Sequence, residues 1–136
     1  MKPIPDHIAA SGSPGTVWFG GGVDRSTMTL RVACDISEVP AVAKLLGCDS
    51  EATKNGWRLS VPASEPANLN AQVQSIFAKV TADLDVWRQV SSRYKVDLFC
   101  GLFLERPNRG ISLTAETMSE VGARGISFGF DIYAPD

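Results

Sequence analysis

The side chains that could act together chemically are carboxylates and arginines placed on strands. Asp97, Glu105 and Asp131 sit in alternating segments, and Asp35 closes another. Paired carboxylates perform acid–base work when their surroundings separate their pKa values. Arg31 and Arg58 fall on the equivalent strand faces and would supply positive charge beside them. Other chemistry is sparse. The single histidine, His7, lies in a segment rich in proline, glycine and serine, which argues against a histidine-based triad or a histidine-ligated metal. Cys34, Cys48 and Cys100 form no C-x-x-C pair, so neither a zinc knuckle nor a redox motif is present. Cys48 follows a predicted helix C-terminus, whose negative partial charge disfavours a thiolate, and it reads as an inert surface thiol. Gly20-Gly21-Gly22 lacks the lysine of a phosphate loop and leads into a strand, not a helix. It reads as a flexible connection. These residues name no catalytic residue, no metal ligand and no cofactor.

The elements that must position the charged residues follow from periodicity. Residues 1–15 hold three prolines, two glycines and two serines and are expected to form a flexible tail, with 16–136 as a single α+β domain. Thr16-Val17-Trp18-Phe19 reads as a short strand. From Thr27, the residues Met28, Leu30, Val32 and Cys34 alternate with polar neighbours, the signature of a strand with one buried face. Ser37 is the expected N-cap of a helix over 38–46, Pro40 lies in its first turn, and Gly47 follows as its C-terminal cap. Trp57, Leu59 and Val61 mark a second strand. Val73, Ile76, Phe77 and Val80 mark an amphipathic helix. Leu84, Trp87 and Val90 mark another, with Asp83 between them as its cap. Val96, Leu98, Cys100, Leu102 and Leu104 give the longest strand signal, followed by a turn over 106–110. Ile111 to Leu113 reads as a short strand, and Thr114 as the cap of a helix bearing Met118 and Val121. Ile126, Phe128, Phe130 and Ile132 then alternate as a last strand with an expected core face. Trp57, Trp87, Cys34 and Cys100 are expected in the core.

The strand–helix–strand pattern occurs twice, with Ile36, Ser37 and Gly47 recurring at equal spacing as Ile111, Ser112 and Gly122. Two such halves predict a mixed, mainly antiparallel sheet with helices packed on one face, in a ferredoxin-like or duplicated βαβ arrangement.

In that arrangement, strand alternation gathers Asp97, Phe99, Gly101, Phe103 and Glu105 on the face away from the core. It does the same for Ser127, Gly129, Asp131 and Tyr133, and for Arg31 and Arg58. Aromatic rings among charges on an open sheet make a binding patch. The binding residues expected are therefore Arg31, Arg58, Asp97, Phe99, Phe103, Glu105, Asp131 and Tyr133. The expected partner is another protein, or a second copy of the chain through the same face. A small-ligand binder or enzyme using the carboxylates with Arg31 or Arg58 is the alternative, with its ligand unspecified. The 136-residue chain has a formal net charge of −2, which argues against nucleic acid as a partner. No apolar run reaches membrane-spanning length, and the N-terminus has no signal-peptide core, so a cytoplasmic protein without membrane contact is expected.

Between Thr27 and Tyr133 the chain resembles the bacterial domain of unknown function numbered four-two-seven-nine. The resemblance rests on Ile36-Ser37 before a helix ending Leu45-Leu46-Gly47, and on Gly56-Trp57-Arg58-Leu59. It continues through the helical stretch over 69–94 and Gly110-Ile111-Ser112-Leu113, and closes on Phe128-Gly129-Phe130-Asp131-Ile132-Tyr133. It implies a small bacterial domain and transfers no catalytic residues. Small bacterial domains of this kind often serve as immunity or accessory partners, which is an analogy of scale and fold.

Overall fold

The computed structural model describes residues 21–51 and 53–135. The expected tail over 1–15, His7 and the strand expected at Thr16–Phe19 lie outside the described residues. Four strands form one open sheet: β1 (Arg25–Ala33), β2 (Trp57–Ser64), β3 (Lys95–Phe103) and β4 (Ser127–Tyr133), in the order β2-β1-β3-β4. β1 runs antiparallel to both β2 and β3, and β4 runs parallel to β3. Four α-helices join them: α1 (Val39–Leu46), α2 (Leu69–Phe77), α3 (Leu84–Arg93) and α4 (Ala115–Ala123). The class is the expected one, α+β with a mixed and mostly antiparallel sheet.

The two halves of the chain pair their strands differently. β1 and β2 are antiparallel neighbours, whereas β3 and β4 are parallel neighbours joined through α4. β2 and β3 are parallel strands with β1 inserted between them, a split unit of the ferredoxin-like kind. The repeated strand–helix–strand pattern therefore does not correspond to matching halves of the sheet.

Period-two side-chain alternation sends Met28, Leu30 and Val32 of β1 to the helix side. Leu59 and Val61 of β2 and Val96, Leu98, Cys100 and Leu102 of β3 join them in the core. Val42, Leu46, Leu69, Val73, Ile76 and Val90 meet them from the helices. Trp57 and Trp87 are fully buried, and each indole donates to a carbonyl, that of Cys48 at 2.9 Å and that of Thr81 at 2.8 Å. Buried indoles need such partners. α2 and α3 are separate, and Asp83 caps α3 by accepting from the Asp85 N–H. Thr114 caps α4 through the Thr117 N–H, and Gly47 closes α1 with φ 70°.

Several expectations are corrected. Ser37 caps nothing, because 36–38 wind into a 3-10 turn that leads into α1. Residues 111–113 form no strand; only Gly110 makes a bridge, to Gly22. β1 begins at Arg25, earlier than the alternation from Thr27 indicates. Cys34 packs against the core only in part. Most consequentially, Phe130 and Ile132 on β4 are exposed (44% and 64%), and only Ile126 of that series is buried. β4 is an edge strand that the helix layer does not reach. The two sheet edges differ accordingly. The outer side of β2 is covered by 50–51, through Ser50 Oγ, the Glu51 N–H and Glu51 Oε1.

At one place β2 carries an extra residue, so the register shifts between Ser26 and Met28. Gln72 of α2 fills this irregularity. Its amide nitrogen donates to the carbonyls of Ser26 and Pro62 at 3.1 Å each, and its oxygen accepts from the Ser26 hydroxyl at 2.6 Å.

Candidate functional site

The helices all lie on one side, so the other side of the sheet carries no described element. Strand register fixes which residues meet there. One row runs Arg58, Arg31, Asp97, Ser127 across the four strands. The next runs Ser60, Thr29, Phe99, Gly129, and beyond it Thr27, Gly101 and Asp131 align. Arg25, Phe103 and Tyr133 form the row nearest the other end.

Apart from Arg58, the large side chains on this face are held by neighbours. Asp97 binds Arg31 through two bonds, from Nε at 2.8 Å and Nη2 at 2.6 Å. The Asp97 carboxylate raises the Arg31 pKa further above its ordinary value. The same guanidinium lies 4.5 Å from the Phe99 ring centroid. Phe103 and Tyr133 stack at 4.7 Å with planes 9° apart, and Arg25 sits 4.8 Å over Phe103. Gly101 makes room for that stack: a Cβ there would meet Thr27 Oγ1 at 2.6 Å and the Phe103 ring at 3.2 Å. The Tyr133 hydroxyl donates to Asp131 at 2.9 Å, and this bond to a carboxylate pushes the Tyr133 pKa up.

Seven of the eight expected residues thus share a face by register, whereas Glu105, expected on a strand, lies past the end of β3 at the margin of that face; the eight are not drawn into one pocket. Phe103, Glu105 and Tyr133 line a cleft of about 360 Å³ with Asp24, Arg25 and Glu65. Arg31 and Asp97 line another of about 250 Å³ with Asn55 and Lys95. Arg31 and Arg58 line a smaller one of about 70 Å³. Phe99 lies between the two ends, and Asp131 is tied to Tyr133. The ends carry opposite charge. At the Arg31 end, basic lining residues outnumber acidic ones three to one; in the larger cleft the ratio is reversed.

Asp24, Arg25, Glu65, Asn55 and Lys95 were not among the expected residues. Arg25 carried a usable signal, because it has the same parity as Thr27, Thr29 and Arg31. Asp24 holds the acidic end together: it accepts from the Glu105 N–H at 2.7 Å and from Arg109 at 3.2 Å. The Glu105 bond, with help from Arg109, lowers its pKa against the opposing effect of burial. Burial, by contrast, pushes the Cys100 thiol up to about 12, and also raises Cys34. Among the described residues no cluster of three or more metal-ligating side chains occurs, and no helix is long and apolar enough to cross a membrane.

A family model for a domain of unknown function, DUF4279, matches residues 28–135. The chain belongs to the DUF4279 family. The match runs from within β1 to the end of β4 and so includes the β-strand residues of the uncovered face except Arg25 and Thr27. No curated protein and no solved structure matches the chain. The DUF4279 assignment names no activity, so the reading of the face rests on its geometry.

Proposed function

We propose that this DUF4279 domain is a non-enzymatic protein-binding module that uses the uncovered sheet face. The observation that carries the reading is the set of three aromatic rings held in place there. Phe99 is backed by Arg31, and Phe103 by Arg25 and Tyr133. Aromatic and arginine side chains dominate binding energy at protein interfaces, and rings already fixed lose little entropy on docking. Acid–base chemistry is less well supported, because Asp97 is bound bidentately by Arg31 and Asp131 accepts from Tyr133. An immunity-like pairing with one cognate protein is the form of this function that analogy with other small bacterial domains suggests.

A photo-cross-linking amino acid at Thr29, in the centre of the face, tests the proposal against one at Arg88, on the helix side. In cells of the native host, the Thr29 position is expected to give a discrete protein adduct that Phe99→Ala combined with Tyr133→Ala removes. An adduct formed only from Arg88, or one that survives the double substitution, overturns the reading.

A further inference from the structure

Arg31 and Arg58 stand directly opposite each other across β1 and β2, on the uncovered face. Like charges so placed repel and weaken the strand pairing. Arg31 has a counterion in Asp97. Arg58 has none: among the described residues no carboxylate pairs with its side chain. The acidic residue beside it in space, Glu51, directs Oε1 to the Ser60 N–H at 2.8 Å. The sheet therefore keeps an unbalanced arginine next to another arginine where a neutral residue would pair better.

The space beside them suits an anion. The cleft of about 70 Å³ is lined by Arg31, Thr53, Asn55, Gly56, Trp57 and Arg58. It shares Arg31 and Asn55 with the cleft of about 250 Å³, which Lys95 also lines together with Asp97, the carboxylate already bound by Arg31. Arg31 is already oriented. Asp97 holds Nε and Nη2, and Phe99 lies against the guanidinium plane, which leaves Nη1 uncommitted to Asp97. A fixed guanidinium edge with free N–H donors binds a carboxylate at small entropic cost.

We infer that Arg58 and Arg31, flanked by Asn55, form a seat for a carboxylate of an acidic segment on the partner protein. Lys95 would take a second acidic group of that segment in the adjoining cleft. This rests on the protein-binding reading above, and it specifies the partner's charge at one end of the face.

Two probes test the seat on the isolated chain: a tetraglutamate peptide and inorganic phosphate, each followed by arginine Nε–Hε resonances. The peptide is expected to shift Arg31 and Arg58 saturably and to leave Arg88 in place. Arg58→Gln should weaken that binding about tenfold, the loss of one charge-assisted contact. Without peptide, Arg58→Gln should leave the thermal midpoint unchanged or raise it, because the cross-strand repulsion is gone. Shifts with phosphate but not with peptide, shifts at Arg88 equal to those at Arg58, no shifts at all, or a midpoint lowered by several degrees would each overturn the inference. Failure of the seat is distinguishable from failure of the face: a Thr29 adduct without peptide binding rejects only the seat. Peptide binding without a Thr29 adduct rejects the protein-binding reading.

Discussion

Gln72 offers the most quantitative test of how this fold is held. It is nearly fully buried, and its side chain serves three groups at the register shift: the Ser26 hydroxyl and the carbonyls of Ser26 and Pro62. Gln72→Leu keeps the volume and removes all three partners. An unsatisfied buried hydroxyl costs roughly 1–3 kcal/mol, and each deprived carbonyl about 1 kcal/mol. Added apolar burial offsets part of this, so a net loss of about 3 kcal/mol is expected. That is a large share of the roughly 5–15 kcal/mol by which a domain of this size is stable. Urea unfolding followed by tryptophan fluorescence measures it, with an unchanged m-value. Ser26→Ala should cost about 1–2 kcal/mol, since it strands the Gln72 oxygen. The double variant should be milder than the sum of the two by about 1–2 kcal/mol, because both remove the same bond. A loss below about 1 kcal/mol for Gln72→Leu, or strict additivity, would refute the assignment of Gln72 as the plug of the irregular ladder.

Other consequences can be measured as directly. Because Asp24 has its pKa lowered below 3.8, its stabilising effect is complete above that value and is lost as pH falls through the lowered one. The thermal-midpoint gap between the native chain and Asp24→Asn should therefore be steady near neutrality and shrink below about pH 4. The Cys100 thiol, fully buried and pushed up to about 12, should resist maleimide in the native state and react only on unfolding, whereas Cys48 should label first. Gly101→Ala should displace Phe103 and weaken the near-ultraviolet dichroism of the Phe103–Tyr133 stack. Gly129→Ala, whose Cβ would meet only ordinary contacts at 3.8 and 3.9 Å, should leave that signal intact.

The parts of the fold legible in the sequence are those governed by local rules. Alternation identifies β1, β2 and β3 because each has one buried face. Asp83, Thr114 and Gly47 announce helix ends through chemistry that acts within a turn. Strand order is not local, so nothing in the sequence places β1 between β2 and β3. β4 misleads for the same reason. Its apolar alternation resembles a core strand, yet its burial depends on where α4 lies, and Phe130 and Ile132 extend past the helix layer. The face was legible as a set, because parity fixes sides. Its division into a basic and an acidic end was not, since that depends on register and on loop residues such as Asn55, Glu65 and Asp24.

The central place of β1 has a consequence for how the chain reaches its native state. β1 is the first described strand in the sequence, but its partners in β3 lie roughly 60 to 80 residues downstream. The sheet cannot close until most of the chain exists, so folding should proceed in the millisecond range or slower, not at helical-bundle speed. During synthesis, β1 and β2 emerge with Met28, Leu30, Val32, Leu59 and Val61 uncovered on one side of the pair. A fragment ending before β3 would keep that apolar ribbon and one free edge of β1 exposed, which makes it prone to aggregate. The apparent internal repeat thus has no counterpart in assembly: β1 gains its second neighbour only from the strand that carries Asp97 and Phe99.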